Sequence, residues 1–222
     1  YRIFDKVMQS FYKIIEPYVL KNTSIKPELL YNKVNCEKFF NANIRNDLAK
    51  PLILSVGNLI ESKNHELLIE SMKKINANLL IIGKGELYTH LKNKIKMNNL
   101  EKKISILESV PYEKIPQYYK SADIFALAYD PNQEGLPMPV MEAMSAGTPV
   151  VIPKSLDSEE LSDSVVFSER NVDSFYQKIN ELLENDELRM KCIQNGLKKA
   201  QNFDMDKLEK RESELYEELI KI

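Results

Sequence analysis

The sequence predicts an α/β fold, a Rossmann-like parallel sheet with helices on both faces. Three observations carry that prediction. From Pro51 onward, short apolar runs alternate with amphipathic stretches in a βαβα rhythm. In the first amphipathic stretch Leu68, Met72 and Ile75 recur at steps of four and three, which marks one buried helix face. The chain has 222 residues, 43% of them hydrophobic, enough for one large domain with its own core.

The elements follow in order. LILSV (52–56) reads as a strand, SKNHELLIESMKKI as a helix, NLLII (78–82) as a strand and ELYTHLKNKIKM as a helix. ISIL (104–107) is a third strand, YEKIPQYYKSA a helix, IFALA (124–128) a strand, MPVMEAMSAG a helix and TPVVIP a strand. VVF at 165–167 adds a short last strand, and three helical patterns close the chain. The last of these, DKLEKRESELYEELIKI, is so charged that it belongs on the surface. Residues 1–50 read as an N-terminal helix around Phe4 to Val19 followed by a segment of linker composition, and residues 51–222 as the domain. The first residue, Tyr1, reads as an internal point of a longer chain.

Composition narrows the function. The formal net charge is −2 with both signs mixed along the chain, so nucleic acid is not expected as a partner. Cys36 and Cys192 lie far apart without a CxxC spacing, and there are two histidines, so neither a disulfide framework nor a metal site is expected. No apolar run is long enough to span a membrane. A reducing cytoplasm suits this composition, with a peripheral position at the membrane for the full-length protein.

In open parallel sheets ligands collect beyond the carboxyl ends of the strands. After the first strand come Gly57, Asn58 and then Lys63, whose charge opposes the positive start of the next helix unless an anion or solvent meets it. After the second come Gly83 and Gly85, which serve either a close backbone approach to a ligand or an ordinary turn. They do not form a dinucleotide fingerprint, since the residue three past Gly85 is Tyr88. The loop after the third strand, with Val110, offers backbone groups to a nucleobase edge.

The fourth strand end carries EGLPMPVME. A helix starting near Pro139 leaves free amides around Met138, where a phosphate can sit, and aims Glu142 back toward the same mouth. A carboxylate repels phosphate, so a neutral diol such as ribose is the suitable partner for Glu142. A capping box is disfavoured there, because Pro139 offers no side-chain acceptor. Glu134 is placed either to meet a sugar or to stand as a solvated loop acid. Met138, Met141 and Met144 read as core, Tyr118 and Tyr119 as helix packing, and His65 and His90 as surface or helix-flank residues, with a contact to phosphate as the lesser alternative for His65.

Taken in this order, VGNLIESKNHELLIES, IIGKGEL, YYKSADIFALA, EGLPMPVME and AMSAGTPVV resemble the donor-binding half of GT-B glycosyltransferases. The family is the large retaining one that includes sucrose synthase. The resemblance runs from YNKVNCEKFF to the end of the chain. It implies that Lys63 holds the donor diphosphate and Glu134 lies by the donor sugar, these two being the catalytic pair. It also implies that Gly135, Leu136, Pro137 and Met138 meet sugar or phosphate, and that Glu142 binds ribose.

Two departures stand out: Asn58 where the family usually has Arg, and Lys33 and Asn35 in place of an NGVD pattern. The family reading implies a metal-independent transfer with no cofactor, a UDP-, GDP- or ADP-sugar donor, and a glycan or lipid acceptor held by a preceding second domain. Two rivals stay open: a nucleotide-sugar epimerase of the same architecture, and a non-catalytic module that scaffolds a partner.

Overall fold

The computed structural model describes residues 31–154 and 161–220. The chain divides into two units, Tyr1–Tyr31 and Asn32–Ile222. The helix expected over Phe4 to Val19 lies outside the described residues.

The unit from Asn32 onward is built on six parallel strands in the order β3-β2-β1-β4-β5-β6. These are β1 Leu52–Val56, β2 Asn78–Ile82, β3 Ile104–Leu107, β4 Ile124–Ala126, β5 Val150–Pro153 and β6 Val166–Ser168. Ile53 pairs with Leu79 on one side and Ile124 on the other, so β1 is central. Its side chains and those of β4 and β5 are buried on both faces, which is why these strands are apolar throughout rather than alternating.

The helices are α1 Cys36–Phe40, α2 His65–Ser71, α3 Tyr88–Met97, α4 Ile115–Ser121, α5 Met138–Ala146, α6 Val172–Glu184, α7 Asp186–Ala200 and α8 Met205–Ile220. Leu68, Met72 and Ile75 are buried in one core with Leu79, Ile81 and Phe175, as the periodicity predicts. The expected surface helix, α8, is mostly exposed and buries Leu208.

Several boundaries differ from the sequence reading. The stretch starting at Ser62 is not one helix: Glu61–Lys63 is a 3-10 turn, and Asn64, at φ 47°, breaks it from α2 while its side chain caps Leu67. Lys63 therefore sits on a turn before the helix. The helix after EGLP begins at Met138, one residue earlier than Pro139, with Pro137 as its N-cap, and at this first position Met138 is exposed rather than core, while Met141 and Met144 are buried. β4 ends at Ala126, although Leu127, Ala128 and Tyr129 continue it as buried chain.

Residues 32–50, of linker composition, are carried on the domain. Val34 exchanges backbone hydrogen bonds with Phe203 and Met205, and Phe39 is fully buried edge-on against Tyr119 at 5.6 Å. A five-residue helix is too short to show a period, so its burial is invisible in the sequence.

Candidate functional site

The strand order reverses direction between β1 and β4, and the loops leaving these two strands meet there. Lys63 comes from the first loop and Glu134 from the second. Lys63 Nζ donates to both carboxylate oxygens of Glu134, at 2.5 Å to Oε1. The ammonium is 8% exposed as a residue, and its aliphatic stem runs beside Gly57. A charge this deep needs an anionic partner, and Glu134 is that partner here. Asn58 stands exposed on the same loop.

Gly83 and Gly85 pack against that loop. A Cβ on Gly83 would stand 1.9 Å from the Gly57 carbonyl oxygen, and one on Gly85 2.5 Å from that of Leu59. The Leu59 amide donates to Lys84 and its carbonyl accepts from Leu87, so the β2 loop clamps the β1 loop from behind. Glycine is required at both places by the protein's own backbone. Gly135 is the opposite case: a Cβ there would meet nothing within 4 Å. Packing does not explain it, and open space faces it.

The start of α5 has no side-chain cap, and its Pro137 carbonyl accepts from Val140. Among the described residues the backbone N–H groups of Gly135, Leu136 and Met138 have no acceptor. Three amide donors thus stand unpaired between Glu134 and the first residue of α5.

Glu142 lies deeper than the sequence suggests, 7% exposed, and accepts a hydrogen bond from the Tyr119 hydroxyl at 2.7 Å. Burial pushes its carboxyl up, and the Tyr119 bond acts in the other direction. Tyr119, which the sequence marks only as helix packing, is a further candidate for the site. Its ring does pack, but its hydroxyl fixes one Glu142 oxygen, and nothing in the sequence links positions 23 residues apart. Val110 is half-buried on the β3 loop. Tyr112, two residues on, lies close enough to Glu142 for that charge, after burial itself, to raise its phenol.

His65 is a correction. It is 2% exposed rather than on a surface or flank, with Nδ1 3.2 Å from the Ser55 hydroxyl and a buried Nε2 that completes no hydrogen bond. Burial holds its pKa down at about 4; neighbouring Lys63 adds to this, and the backbones of Asn58 and Gly57 oppose it. The imidazole is neutral at physiological pH.

Cavities of about 400 Å³ beside Cys36 and Ser145, and about 500 Å³ between α3 and β3, lie elsewhere; neither is lined by Lys63, Glu134 or Glu142. Among the described residues no group of three His, Cys, Asp or Glu is placed to hold a metal, and no helix is long and apolar enough to cross a membrane.

A family model, glycosyl transferases group 1, matches residues 37–199. An N-acetylgalactosamine-N,N'-diacetylbacillosaminyl-diphospho-undecaprenol 4-alpha-N-acetylgalactosaminyltransferase of Campylobacter jejuni is 30% identical over 203 residues, covering 86% of this chain and 54% of that protein. Among solved structures, Anabaena HepE in complex with UDP and glucose superposes with a TM-score of 0.76 at 19% identity, over 86% of this chain and 57% of that one. The C-terminal domain of a group 1 glycosyl transferase, LpcC of Francisella tularensis, superposes with a TM-score of 0.66 at 23% identity, over 76% of this chain and 96% of that domain. At these identities the two structures show a shared GT-B domain fold. The chain spans about half the length of the curated relatives it matches.

Proposed function

Because the chain belongs to the glycosyl transferases group 1 family, we propose that it is the donor-binding half of a retaining glycosyltransferase that uses a nucleotide sugar. The observation that carries this is the contact between Lys63 and Glu134 where the loops of β1 and β4 meet. A leaving nucleoside diphosphate gains negative charge, and Lys63 together with the α5 amides offers fixed positive potential to receive it without a metal. When the diphosphate takes the ammonium, Glu134 is released to accept hydrogen bonds from hydroxyls of the donor sugar. Glu142, with one oxygen held by Tyr119, offers the other to the ribose diol.

UDP-, GDP- and ADP-sugars are the candidate donors, and the HepE complex with UDP and glucose supports the first of them. A preceding domain would hold the acceptor, a glycan or a lipid, and the Campylobacter relative's name favours a lipid-linked one. The protein would then work in the cytoplasm or peripherally at the membrane. Asn58, a neutral residue on the phosphate loop, favours a second reading in which the chain binds a partner rather than a donor.

A thermal-shift panel of nucleotide sugars separates the two readings, since a ligand at a hundredfold excess over its dissociation constant stabilises the fold by about 2.7 kcal/mol. No shift with any donor favours the partner-binding reading. For a binder, Lys63→Ala is expected to weaken the nucleoside diphosphate by about 1 to 3 kcal/mol and leave the bare nucleoside almost unchanged. Equal loss for both ligands in calorimetry removes Lys63 from the phosphate site. Glu142→Gln is expected to reduce affinity for the ribonucleotide more than for its 2′-deoxy form, and retention of full ribose discrimination would contradict the diol role.

A further inference from the structure

Asp130 lies four residues before Glu134 and outside every motif read from the sequence. Its N–H donates to the carbonyl of Ser62, the residue before Lys63, at 2.8 Å. Its own carbonyl accepts from the amides of Gln133 at 3.0 Å and Glu134 at 3.2 Å. The carboxylate closes the same turn, accepting from the Asn132 amide at 3.0 Å, the Asn132 side chain at 3.2 Å and the Gln133 side chain at 2.9 Å. One residue is therefore bonded to both loops that meet in the site.

A third loop reaches it. Arg170, between β6 and α6, brings a guanidinium nitrogen to 3.3 Å from the Asp130 carboxylate. The backbone under Arg170 is itself pinned, since Glu169 donates to the Ser174 hydroxyl and Asn171 caps α6 at Ser174. Burial disfavours the Asp130 charge, but the Asn132 amide, the Gln133 side chain and Arg170 outweigh it, so its carboxyl titrates below the usual range. An ordinary Asx turn with a surface ion pair would account for the local bonds. Here the backbone tie to Ser62 anchors one end of the turn to the lysine loop whatever the side chain, and the Asp130 carboxylate stiffens the turn between that anchor and Glu134, which makes it a strut between the lysine loop and the acid loop.

We infer that Asp130, charge-paired with Arg170, is the positioning residue that holds Glu134 opposite Lys63, and so sets how strongly the site distinguishes a nucleotide sugar from the bare diphosphate. This rests on the donor-site reading above. Glu134 is the sugar-facing group in that reading, and a loop acid displaced by about an ångström loses most of an oriented hydrogen bond. The diphosphate is met chiefly by Lys63, whose backbone is also held by its own 3-10 turn, the Lys63 amide donating to Ile60 at 3.1 Å, so its binding depends less on the strut.

The test is calorimetry on the chain with UDP-, GDP- and ADP-linked hexoses, each against its bare diphosphate. Asp130→Ala is expected to cut the affinity ratio of nucleotide sugar to diphosphate about tenfold while changing diphosphate binding by no more than about twofold. Arg170→Ala shifts the ratio in the same direction by less, and Arg170→Lys restores part of it. In a Glu134→Gln background Asp130→Ala is expected to add nothing, because the group it positions is already gone. Additive effects in that cycle, or an unchanged ratio in Asp130→Ala, overturn the inference while the donor reading stands. A parent chain that binds no donor at all removes the donor reading and this inference with it. If Asp130→Ala does not fold, the Arg170 pair and its own cycle with Glu134→Gln decide the question.

Discussion

Gly83→Ala is expected to destabilise the fold by about 3 kcal/mol or more, or to abolish it, although the change adds a single methyl group. The added Cβ would fall 1.9 Å from the Gly57 carbonyl oxygen and 2.9 Å from its carbon. Neither atom belongs to a side chain that can rotate away. Gly57 is itself held, its amide donating to Ile82 at 3.1 Å, and Gly83 donates to Leu107 at 2.9 Å. Relief therefore requires separating the β1 and β2 loops, which moves the Lys63 turn as well. Gly135→Ala is the matched control, because a Cβ there meets nothing within 4 Å. Its stability is expected to stay within about 0.5 kcal/mol of the parent. Denaturant melts of the two variants decide the matter: similar midpoints for both would mean that the two loops do not approach as closely as described.

Acidification is expected to remove about 3 kcal/mol of stability through His65 alone, about 2 kcal/mol of it by about pH 5. The sign follows from where the proton goes. In the unfolded chain His65 titrates near its ordinary 6.5, whereas in the fold burial, with Lys63 beside it, lowers the value to about 4. Between those values the unfolded chain takes up a proton that the folded chain refuses. The stabilisation is thus complete above pH 6.5 and is lost as pH falls toward 4. Other groups titrate over the same range, so the informative quantity is the difference between the parent and His65→Gln, which keeps a polar side chain but cannot be protonated. Unfolding free energies at several pH values should show the parent losing its advantage on acidification. A difference that stays flat across the window would mean that His65 is hydrated or already charged in the fold.

Gly83 and His65 differ in how far the sequence reveals them. Gly83 and Gly85 were legible as a turn or a ligand contact, and spacing alone could not separate the two, since both need a residue without Cβ. His65 follows a lysine and an asparagine at a helix start, which reads as a flank. It is buried, and its ring meets the β1 side chain of Ser55, a neighbour that no helical period reveals.

The sequence by itself determined the fold class, the strand runs of the parallel sheet, the buried stripe of Leu68, Met72 and Ile75, and the two acids of EGLPMPVME as candidates. Such features depend on residue order over five to fifteen positions, where the periods of strand and helix appear directly. The tertiary structure alone decided that β1 lies beside β4, so that Lys63 meets Glu134 across 71 positions. Tyr119 reaching Glu142, Arg170 reaching Asp130, and Phe39 sealing what composition reads as a linker were likewise set there. The physical reason is common to all of these contacts. Each joins side chains from different strand ends or helices, and their proximity is set by the order in which strands pair, a property of the whole sheet that leaves no period in the chain.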